Sequence, residues 1–465
     1  MPQACRVGYI GSRQRKRRGV RQRRESAIRN PQSAIRNPHY LYVAYTLSLT
    51  LKAANAVQTF NTARCLRELA REAGAEVMVV VPRWLREPSR FGEEFGAGVV
   101  HLSRIPFNKL TRFWKTGLLS YVERSAWSLL LIAWIVGRRV TGRGFAAIYV
   151  RDVVCAYWLA RARALTGAPL VYEVHDLESS NPSAARGALW SRLRRSLDRV
   201  TIRRPARLVS LTSTFCDFLA ERGLRDRAEV DVIPDAYDEG LYTGTTKAAA
   251  RAALGLPADA FIVGYAGLTF AYRRLDLLVE AFAALPARLG PSRPLCLVLA
   301  GGRPAELSVV SGQWSVVSSQ WPVGGGRWSA EILRCAQNDS GSALVLPGQV
   351  GQEEVVLYLY AADVLVIPDT VTTLTASPLK LFEYMAAGRA IVLRELPALR
   401  EILGDDGLYF PPGDAAALAD ALERLARDPE LAERLGAAAA ARAAGYTYRE
   451  RARRVLAALA LATEF

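Results

Sequence analysis

Residues 375–388 read TASPLKLFEYMAAG, and this segment decides the fold of the second half of the chain. Ser377 is a favoured N-cap residue, because its hydroxyl accepts a hydrogen bond from a free backbone N–H of the first turn. Pro378 suits the first helical position, where no backbone N–H is needed. Gly388 suits the end of the helix, since glycine readily adopts the left-handed conformation found there. The segment therefore predicts a helix between Pro378 and Gly388.

The predicted helix has an apolar side and a polar end. Leu379, Phe382 and Met385 recur at helical spacing and predict the buried side. The N-terminus offers free N–H groups and the positive end of the helix dipole, which favour an anion such as a diphosphate. Glu383 lies six residues after Ser377, where a carboxylate can accept hydrogen bonds from vicinal hydroxyls such as those of a ribose. A solvated surface glutamate is the alternative interpretation of Glu383.

Strands that alternate with helices surround this segment. The predicted strands are residues 261–266, 295–300 and 364–368. The first of them ends in Gly267, and a loop containing Arg273 and Arg274 leads from it into an amphipathic helix. This alternation is typical of parallel sheets and predicts a Rossmann-like domain.

The first half of the chain shows the same alternation from Leu41 onward. A strand, a helix and a second strand form a βαβ unit, which requires a right-handed crossover and parallel strands. The predicted strands are residues 41–45, 76–81, 147–150, 170–174 and 208–211. The predicted fold class is therefore α/β, with two facing Rossmann-like domains that each contain a doubly wound parallel sheet.

Polar side chains follow several strands of the first half, at the edge where such sheets bind ligands. Asn55 lies after the first strand, Arg151 after the third, and His175 and Asp176 after the fourth. A histidine can exchange hydrogen bonds with sugar hydroxyls and can titrate near neutrality. The structural alternatives are a helix cap for Asn55 and a local ion pair between Arg151 and Asp152.

Positive charge is concentrated at the N-terminus. The net charge is +17, and residues 1–40 contribute +10 of it. The remaining excess is modest, so no specific nucleic-acid partner is expected. The six cysteines and three histidines are scattered, which predicts neither a disulfide framework nor a metal site.

Two segments contain short tandem repeats that do not fit a compact fold. SAIRNPQ at residues 26–32 is followed by SAIRNP, and SVVSGQW at 308–314 is followed by SVVSSQW. Single repeats of this kind cannot form a repeat architecture. We expect residues 1–40 to be a disordered or misassigned tail and residues 304–342 to be an ill-ordered insertion.

Residues 108–143 mix tryptophans, lysines and arginines around a short apolar run. This composition is typical of a helix lying in a membrane interface. An ordinary packed helix with charged ends is the alternative. The most apolar run, residues 129–136, is shorter than the roughly 20 residues that span a bilayer, so no transmembrane helix is expected.

Several motifs in combination resemble family 4 glycosyltransferases, which have the GT-B fold. The matching segments are residues 264–282 (GYxG…KGLDLLLEAF in the family), 358–368 (LYAAADVFVLPS), 377–388 (SPLKLFEYMAAG), 54–58 (ANAxQ) and 171–176 (YEVHD). The resemblance covers about residues 41–459 without the insertion. It implies a retaining transfer of a hexose from a nucleotide sugar.

The resemblance assigns roles to particular residues. Glu383 would hold the donor ribose, Arg273 would bind the diphosphate, and His175 would face the transferred sugar. The other donor-side residues would be Gly267, Arg274, Val350, Thr375, Ser377, Pro378 and Leu379. Asn55, Arg151 and Asp176 would lie on the acceptor side.

Two positions depart from the family pattern. Leu268 replaces an arginine that often assists the diphosphate, and Arg274 is the candidate to supply the missing charge. Thr375 replaces the first acid of the E-x7-E pair, which often touches the sugar.

The expected function is transfer of a hexose from a UDP- or GDP-linked donor to a lipid- or polysaccharide-linked acceptor, with neither a metal nor another cofactor. Two alternatives remain open: a degenerate, sugar-nucleotide-binding partner protein, and a nucleotide-sugar epimerase of the same fold.

The expected acceptor-side domain is 41–235, the donor domain is 236–445, and 446–465 is a helix that packs back on the first domain. The expected location is the cytoplasm, with peripheral contact at the inner face of the plasma membrane through residues 108–143.

Overall fold

The computed structural model describes residues 37–46, 49–51, 54–105, 117–180, 188–290, 293–302, 334–337, 342–370, 375 and 377–464. The predicted tail lies almost wholly outside these residues. Its last part does not, because the first strand begins at His39 and not at residue 41. The strand starts there because its hydrogen-bonded pairing with the neighbouring strand begins at His39.

The chain divides into two compact units. The first unit runs to Pro234 and also contains residues from Tyr448 onward. Its strands are β1 (His39–Val43), β2 (Glu76–Arg83), β3 (Val99–Ser103), β4 (Ala147–Val150), β5 (Leu170–Val174), β6 (Arg207–Ser210) and β7 (Val230–Val232). Its helices are α1 (Ala54–Glu72), α2 (Arg90–Phe95), α3 (Gly117–Val140), α4 (Val153–Arg161), α5 (Arg163–Thr166), α6 (Ala188–Arg203), α7 (Ser213–Glu221) and the C-terminal helix α16 (Tyr448–Ala462).

The sheet of the first unit is parallel throughout, in the order β3-β2-β1-β4-β5-β6-β7. The chain builds outward from β1 to β3 and then returns to place β4 on the other side of β1. The strand order therefore reverses between β1 and β4. In doubly wound sheets this switch point opens a crevice at the carboxyl ends of the strands.

The second unit spans Asp235–Thr447. Its strands are β8 (Phe261–Ala266), β9 (Leu295–Ala300), β10 (Arg334–Gln337), β11 (Ala343–Gly348), β12 (Val364–Ile367), β13 (Ala390–Arg394) and β14 (Leu408–Phe410). Its helices are α8 (Lys247–Leu254), α9 (Leu275–Ala283), α10 (Leu285–Leu289), α11 (Gln352–Ala361), α12 (Leu379–Ala386), α13 (Pro397–Leu403), α14 (Ala415–Arg427) and α15 (Pro429–Ala443).

The second sheet has the order β10-β11-β9-β8-β12-β13-β14 and is parallel except for β10. Its switch point lies between β8 and β12. The prediction of two Rossmann-like domains with doubly wound sheets is confirmed. One part of the predicted insertion is wrong, because residues 334–337 form an edge strand that pairs with β11. The rest of 304–341 lies outside the described residues.

The helix α12 is one residue shorter at its start than the sequence predicts. Pro378 is its N-cap residue, and Ser377 lies before the helix, where its hydroxyl accepts a hydrogen bond from the backbone N–H of Asp235 at 3.1 Å. Gly388 has a φ of 65° and follows the helix, as predicted. The buried side is formed by Lys380, Leu381, Phe382, Tyr384 and Met385, and Leu379 is only partly buried.

A buried carboxylate ties three elements of the second unit together. Asp363, which precedes β12, accepts hydrogen bonds from the backbone N–H of Ile262 at 2.7 Å and from Arg251 at 2.7 Å. Lys247 at the start of α8 adds a third contact at 2.9 Å. Burial alone would raise the pKa of Asp363, but these hydrogen bonds and cations hold it below its ordinary value.

The helix α3 buries one side and exposes the other. Trp127, Leu131 and Ile135 are buried in the first unit, whereas Leu129 and Leu130 remain about half exposed. Residues 119–140 are long and apolar enough to cross a membrane by length and composition alone, with a mean hydropathy of 1.3. The short apolar run at 129–136 underestimated the length of this helix, and the expectation that it does not span a membrane stays a prediction. Core helices of soluble proteins also meet the same criterion of length and composition.

We predict that Asp363→Asn destabilises the second unit by about 3 kcal/mol, because it leaves Arg251 buried without its charge partner. Hydrogen exchange of β8 and β12 measures this loss, with β1 and β4 of the first unit as the internal reference. The depressed pKa means that the stabilisation is complete above the unfolded pKa of about 4 and is lost as pH falls through the folded value. The free energies of unfolding of the variant and of the parent should therefore become equal in acid.

The matched control is Arg400→Gln, which removes exposed ion pairs with Glu395 and Asp405 in the same unit. We expect that change to be nearly neutral. Equal protection of β8 in Asp363→Asn and the parent at neutral pH would contradict the role given to Asp363.

Candidate functional site

A polar pocket of about 210 Å³ lies at the switch point of the first unit. It is lined by Ala44, Tyr45, Asn55, Thr59, Arg124, Arg151, Asp152, Val153, Tyr172, His175, Asp176 and Glu178. Ala44 and Tyr45 follow β1, Arg151 follows β4, and His175 follows β5. The parallel sheet thus brings together all the first-half residues that the sequence singles out, as expected for the carboxyl edge of adjacent strands.

A buried carboxylate, Glu173, organises the wall of this pocket. It lies in β5 and is fully buried. It accepts hydrogen bonds from Arg151 Nε at 3.0 Å and from the Tyr149 hydroxyl, and it contacts His175 Nε2 at 2.8 Å. Arg451 of α16 donates at 2.5 Å to the same oxygen that accepts from Tyr149. Sequence reasoning missed Glu173, although a charged residue within the buried run LVYEV is itself a signal of a special role.

The proposed ion pair between Arg151 and Asp152 is wrong. Arg151 turns toward Glu173 and also bonds Gln58 and Thr59 of α1. Asp152 pairs instead with Arg124 of α3 at 2.9 Å and accepts from the Cys155 N–H as the N-cap of α4. Each arginine that lines the pocket therefore has a carboxylate partner.

The other two acceptor-side residues lie at the mouth of the pocket. Asn55 is exposed in the first turn of α1, where its amide oxygen accepts from the Thr59 hydroxyl at 3.3 Å. Asp176 is exposed and accepts from the backbone N–H of Leu177 at 2.8 Å. Both side chains are available to a bound molecule in the pocket.

In the second unit, three glycines allow strand ends to approach closely. Gly267 follows β8 with a φ of 135°, and Gly301 follows β9 with a φ of 110°. A Cβ on Gly301 would lie 2.3 Å from the carbonyl oxygen of Gly267. The Gly301 N–H also donates to the carbonyl of Gly348 at the end of β11, at 2.8 Å. Only glycine fits at Gly301, because both the conformation and the space exclude a side chain.

Lys380 of α12 points at this glycine cluster. Its side chain is 8% exposed, and its ammonium group donates to the Tyr265 hydroxyl at 2.7 Å. A Cβ on Gly267 would lie 2.8 Å from Lys380 Nζ. Among the described residues, no carboxylate forms an ion pair with Lys380. Burial, together with the charge of Arg273, holds the pKa of Lys380 well below its ordinary value.

Arg273 and Glu383 complete the charged groups here. The Arg273 Nε is buried and has no hydrogen-bond partner within the part of the chain that the structure describes. Burial raises the pKa of Glu383 to about 7, while Lys380 opposes this rise. Tyr384 fixes the helix to the sheet, because its hydroxyl accepts from the Ala266 N–H at 2.7 Å. The site is thus a desolvated, mainly cationic cluster at the carboxyl end of β8.

The remaining donor-side residues lie in different surroundings. Arg274 pairs with its exposed neighbour Asp276 at 2.9 Å, so its guanidinium is already engaged. Thr375 and Ser377 are buried before α12. Pro378 and Leu379 are partly buried at its start, and Val350 packs against the hydrophobic core after β11. Sequence reasoning missed Lys380, because within that helix it singled out only the apolar residues and Glu383.

Within the residues that the structure describes, no group of three histidine, cysteine, aspartate or glutamate side chains is arranged to hold a metal ion. The arginine and lysine side chains of the two sites are Arg124 and Arg151 in the first unit and Arg273 and Lys380 in the second. Any anion bound at the second site would meet Arg273 and Lys380.

Known protein families match both units. A family described as "Glycosyl transferase 4-like domain" matches residues 57–236, and one described as "Glycosyl transferases group 1" matches residues 260–428. Together the two ranges cover more than half of the chain.

Curated relatives include D-inositol 3-phosphate glycosyltransferases. The Saccharomonospora viridis protein is 31% identical over 63% of this chain and 64% of its own length. The Streptomyces griseus protein is 32% identical over 62% of this chain and 61% of its own. The chain thus matches less than two thirds of the length of either relative.

Solved structures show the same fold at low identity. Sucrose-phosphate synthase from Thermosynechococcus elongatus has a TM-score of 0.66 at 19% identity, covering 90% of this chain and 96% of that one. The Anabaena protein HepE, solved in complex with UDP-glucose, has a TM-score of 0.60 at 15% identity, covering 90% and 98%.

We predict that Gly301→Ala destabilises the second unit by about 2–3 kcal/mol, because the methyl group collides with the Gly267 carbonyl. The control is Gly413→Ala, which has a similar positive φ of 80° but no atom within 4 Å of the added carbon. That variant should lose only about 1 kcal/mol of backbone strain. Hydrogen exchange of β8 and β9 measures the stability of both variants. An equal loss of stability in the two would show that the close approach of Gly301 to the Gly267 carbonyl does not matter.

Proposed function

Because the chain belongs to the family 4-like glycosyltransferases of the GT-B fold, we propose that it transfers a hexose from a nucleotide-sugar donor to a hydroxyl of a glycan or lipid-linked acceptor. The observation that carries this proposal is the buried lysine at the carboxyl end of β8. Lys380 has no carboxylate partner among the described residues and lies beside Arg273. A desolvated cation without a counter-ion is costly unless a ligand supplies the negative charge.

The donor diphosphate is the anion that fits this site. Its charge would compensate Lys380 and Arg273, and the depressed pKa of Lys380 would rise toward its ordinary value as the phosphates bind. When the glycosidic bond to the diphosphate breaks, negative charge builds on the leaving phosphate. Lys380 and Arg273 are then the groups that stabilise it. Lys380 thereby supplies a cation in the site where Leu268 departs from the family pattern.

Glu383 would hold the ribose of the donor. An ionised carboxylate accepts hydrogen bonds from two vicinal hydroxyls more strongly than a protonated one, so donor binding would favour deprotonation of Glu383. Its pKa of about 7 places that step near neutrality. The hexose, the retention of configuration and the role of His175 beside the transferred sugar belong to the same proposal.

The pocket of the first unit suits an uncharged, hydroxyl-rich acceptor group. Its two arginines are already paired, Arg124 with Asp152 and Arg151 with Glu173. Two further carboxylates, Asp176 and Glu178, line the same wall. This charge balance favours sugar hydroxyls over a phosphate group, so we place the acceptor with neutral glycans and not with the phosphorylated inositol named for the relatives.

We further propose that the exposed side of α3 rests on an acidic membrane surface at the cytoplasmic face. The exposed residues Val122, Ala126, Leu129, Leu130 and Ala133 form one apolar stripe at helical spacing. Arg139 is exposed in the last turn of the same helix, and Arg143 is exposed three residues beyond its end. A helix with an exposed apolar stripe and cationic groups near its end binds favourably to an anionic membrane surface. A lipid-linked acceptor would lie in the same membrane.

The first experiment is a thermal-shift panel of UDP-, GDP- and ADP-sugars. We expect one nucleotide class to stabilise the parent, and Glu383→Ala and Lys380→Met to remove the shift, because each loses a donor contact. Glu280→Ala, an exposed glutamate in the same unit, is the control and should keep the shift. Transfer of radiolabelled sugar to a glycan acceptor then tests activity.

Three outcomes separate the alternatives. A shift without transfer or donor hydrolysis would favour the degenerate, sugar-nucleotide-binding protein. Interconversion of the free nucleotide sugars would identify an epimerase. No shift with any donor in a folded protein would contradict the donor site.

We predict that Leu129→Ser/Leu130→Ser weakens binding to phosphatidylglycerol vesicles at least about tenfold, because two leucine side chains no longer enter the interface. Sedimentation with vesicles measures the bound fraction of the protein. Uncharged phosphatidylcholine vesicles, compared with phosphatidylglycerol vesicles, show how much the lipid charge contributes to binding. Leu85→Ser changes another exposed leucine of the first unit and should have no effect. Equal binding of the two variants would contradict a membrane role for α3.

A further inference from the structure

The backbone of Lys380 has a fixed place beside the end of β8. Tyr384 lies one turn later on the same helix, and its hydroxyl accepts a hydrogen bond from the Ala266 N–H at 2.7 Å. Residues four apart share one face of a helix, so this bond also fixes where Lys380 starts out relative to the strand. The direction of the long lysine side chain remains to be set, because that side chain has many rotamers.

Tyr265, the residue before Ala266 in β8, sets this direction. Its side chain is 1% exposed. The Lys380 ammonium donates to the Tyr265 hydroxyl at 2.7 Å and lies over the Tyr265 ring, 3.9 Å from its centre. The face of the ring attracts a cation, and the hydroxyl oxygen accepts one of its hydrogens. One tyrosine therefore holds the ammonium in two ways.

The Tyr265 hydroxyl can only accept from Lys380, because its own hydrogen is used elsewhere. It donates that hydrogen to the Leu268 carbonyl at 2.7 Å. A hydroxyl has one hydrogen, whereas an ammonium group has three. Within the described part of the chain the ammonium has no second acceptor, so two of its hydrogens remain for a bound anion.

The same hydroxyl anchors the segment that carries the second cation of the site. Leu268 begins this segment, which ends in the short 3₁₀ turn Ala271–Arg273. The Leu268 carbonyl is the group that Tyr265 holds. Tyr265 thus contacts Lys380 directly and fixes the start of the loop that leads to Arg273.

We propose that Tyr265 is the positioning residue for Lys380. Its hydroxyl and ring keep the ammonium charged and oriented before the donor arrives, with two hydrogens left for the diphosphate. The proposal rests on the proposed function for the identity of that anion. The contact between Tyr265 and Lys380 is itself a property of the unliganded protein.

The effect of the hydroxyl on the charge of Lys380 has a definite sign. Burial and the charge of Arg273 lower the pKa of Lys380, and Glu383 on the same helix opposes them. A hydrogen bond accepted from the charged form favours that form, so removing the Tyr265 hydroxyl should lower the pKa of Lys380 further. Water entering a loosened site would have the opposite effect, because it would reverse the desolvation.

The pKa of Lys380 can be measured in the full, unliganded chain labelled with ¹³C- and ¹⁵N-lysine. There are six lysines, so Lys380→Met assigns the Lys380 signals in the spectra. Tyr265→Phe keeps the ring and loses only the hydroxyl. We expect the pKa of Lys380 to fall in this variant, with an acid dissociation constant about tenfold larger. An unchanged or raised pKa in the folded variant would overturn the proposal.

The matched control is Tyr409→Phe. It also removes a hydroxyl that donates to a backbone carbonyl, that of Gly404 at 2.6 Å, but it lies in β14. This change should leave the pKa of Lys380 as it is in the parent.

A double variant keeps the test decisive if Tyr265→Phe is unstable. Tyr265→Phe/Lys380→Met removes both partners, so its loss of stability in denaturant should be smaller than the sum of the two single losses. Additive losses, or a double variant that folds no better than Tyr265→Phe, would overturn the coupling.

Nucleotide binding separates this proposal from the proposed function. Calorimetric titration with UDP and with GDP gives Kd for the parent and for Tyr265→Phe at several pH values. Only the ammonium form of Lys380 compensates phosphate charge, so the ratio of variant to parent Kd should grow to about tenfold as pH rises. The titrations of Glu383 and of the phosphates are common to both proteins and cancel in this ratio.

A Kd ratio that does not change with pH would overturn the positioning role, because a merely structural change would weaken binding equally at every pH. If neither nucleotide binds the parent, the proposed function fails. The pKa of Lys380 in the unliganded chain then still decides whether Tyr265 positions it.

Discussion

Parallel strands impose the constraint on which both sites depend. Each pair of neighbouring parallel strands needs a crossover, and the right-handed crossovers place every strand-to-helix turn on the same edge of the sheet. Where the strand order reverses, two of these turns diverge and leave a crevice. In the first unit the reversal lies between β1 and β4, so Tyr45 and Arg151 meet there, although they are far apart in the chain. In the second unit it lies between β8 and β12, where Gly267 approaches Lys380.

The two buried charged groups at these sheet edges, Glu173 and Lys380, differ in how many partners compensate their charge. Glu173 has a full set of donors, so its charge is satisfied without a ligand and serves the protein itself. Lys380 has the Tyr265 hydroxyl as a partner, lies over the Tyr265 ring at 3.9 Å and has the cation Arg273 near it, and no carboxylate among the described residues forms an ion pair with it. The same physical cost of burying a charge is therefore met by the protein itself at Glu173, whereas at Lys380 the proposed function assigns the compensating charge to the donor.

The different charged groups of the two units agree with membership of the glycosyltransferase family. The second unit offers cations and a carboxylate that suits a ribose, and the first offers a pocket of paired charges and hydroxyls. The helix α16 belongs to the first unit although it follows the second in the chain. Through Arg451 it reaches the carboxylate beneath His175, so the end of the chain contributes to a site built mostly from its first half.

The sequence by itself determined the alternation of strands and helices, because apolar periodicity and glycine or proline positions are local properties. It also determined the helix that begins near Pro378 and the polar residues at strand ends, such as His175 and Arg151. It misplaced the start of α12 by one residue, since the Ser377 hydroxyl is taken by Asp235, which is distant in sequence.

Only the tertiary structure decided the partners of the charged groups. Arg151 pairs with Glu173 and not with its neighbour Asp152, and Arg451 joins them from the other end of the chain. Lys380 belongs to the site because β8 ends beside α12. The physical reason is that an ion pair forms wherever two charges are desolvated together, and chain separation does not restrict which residues the packed core brings into contact.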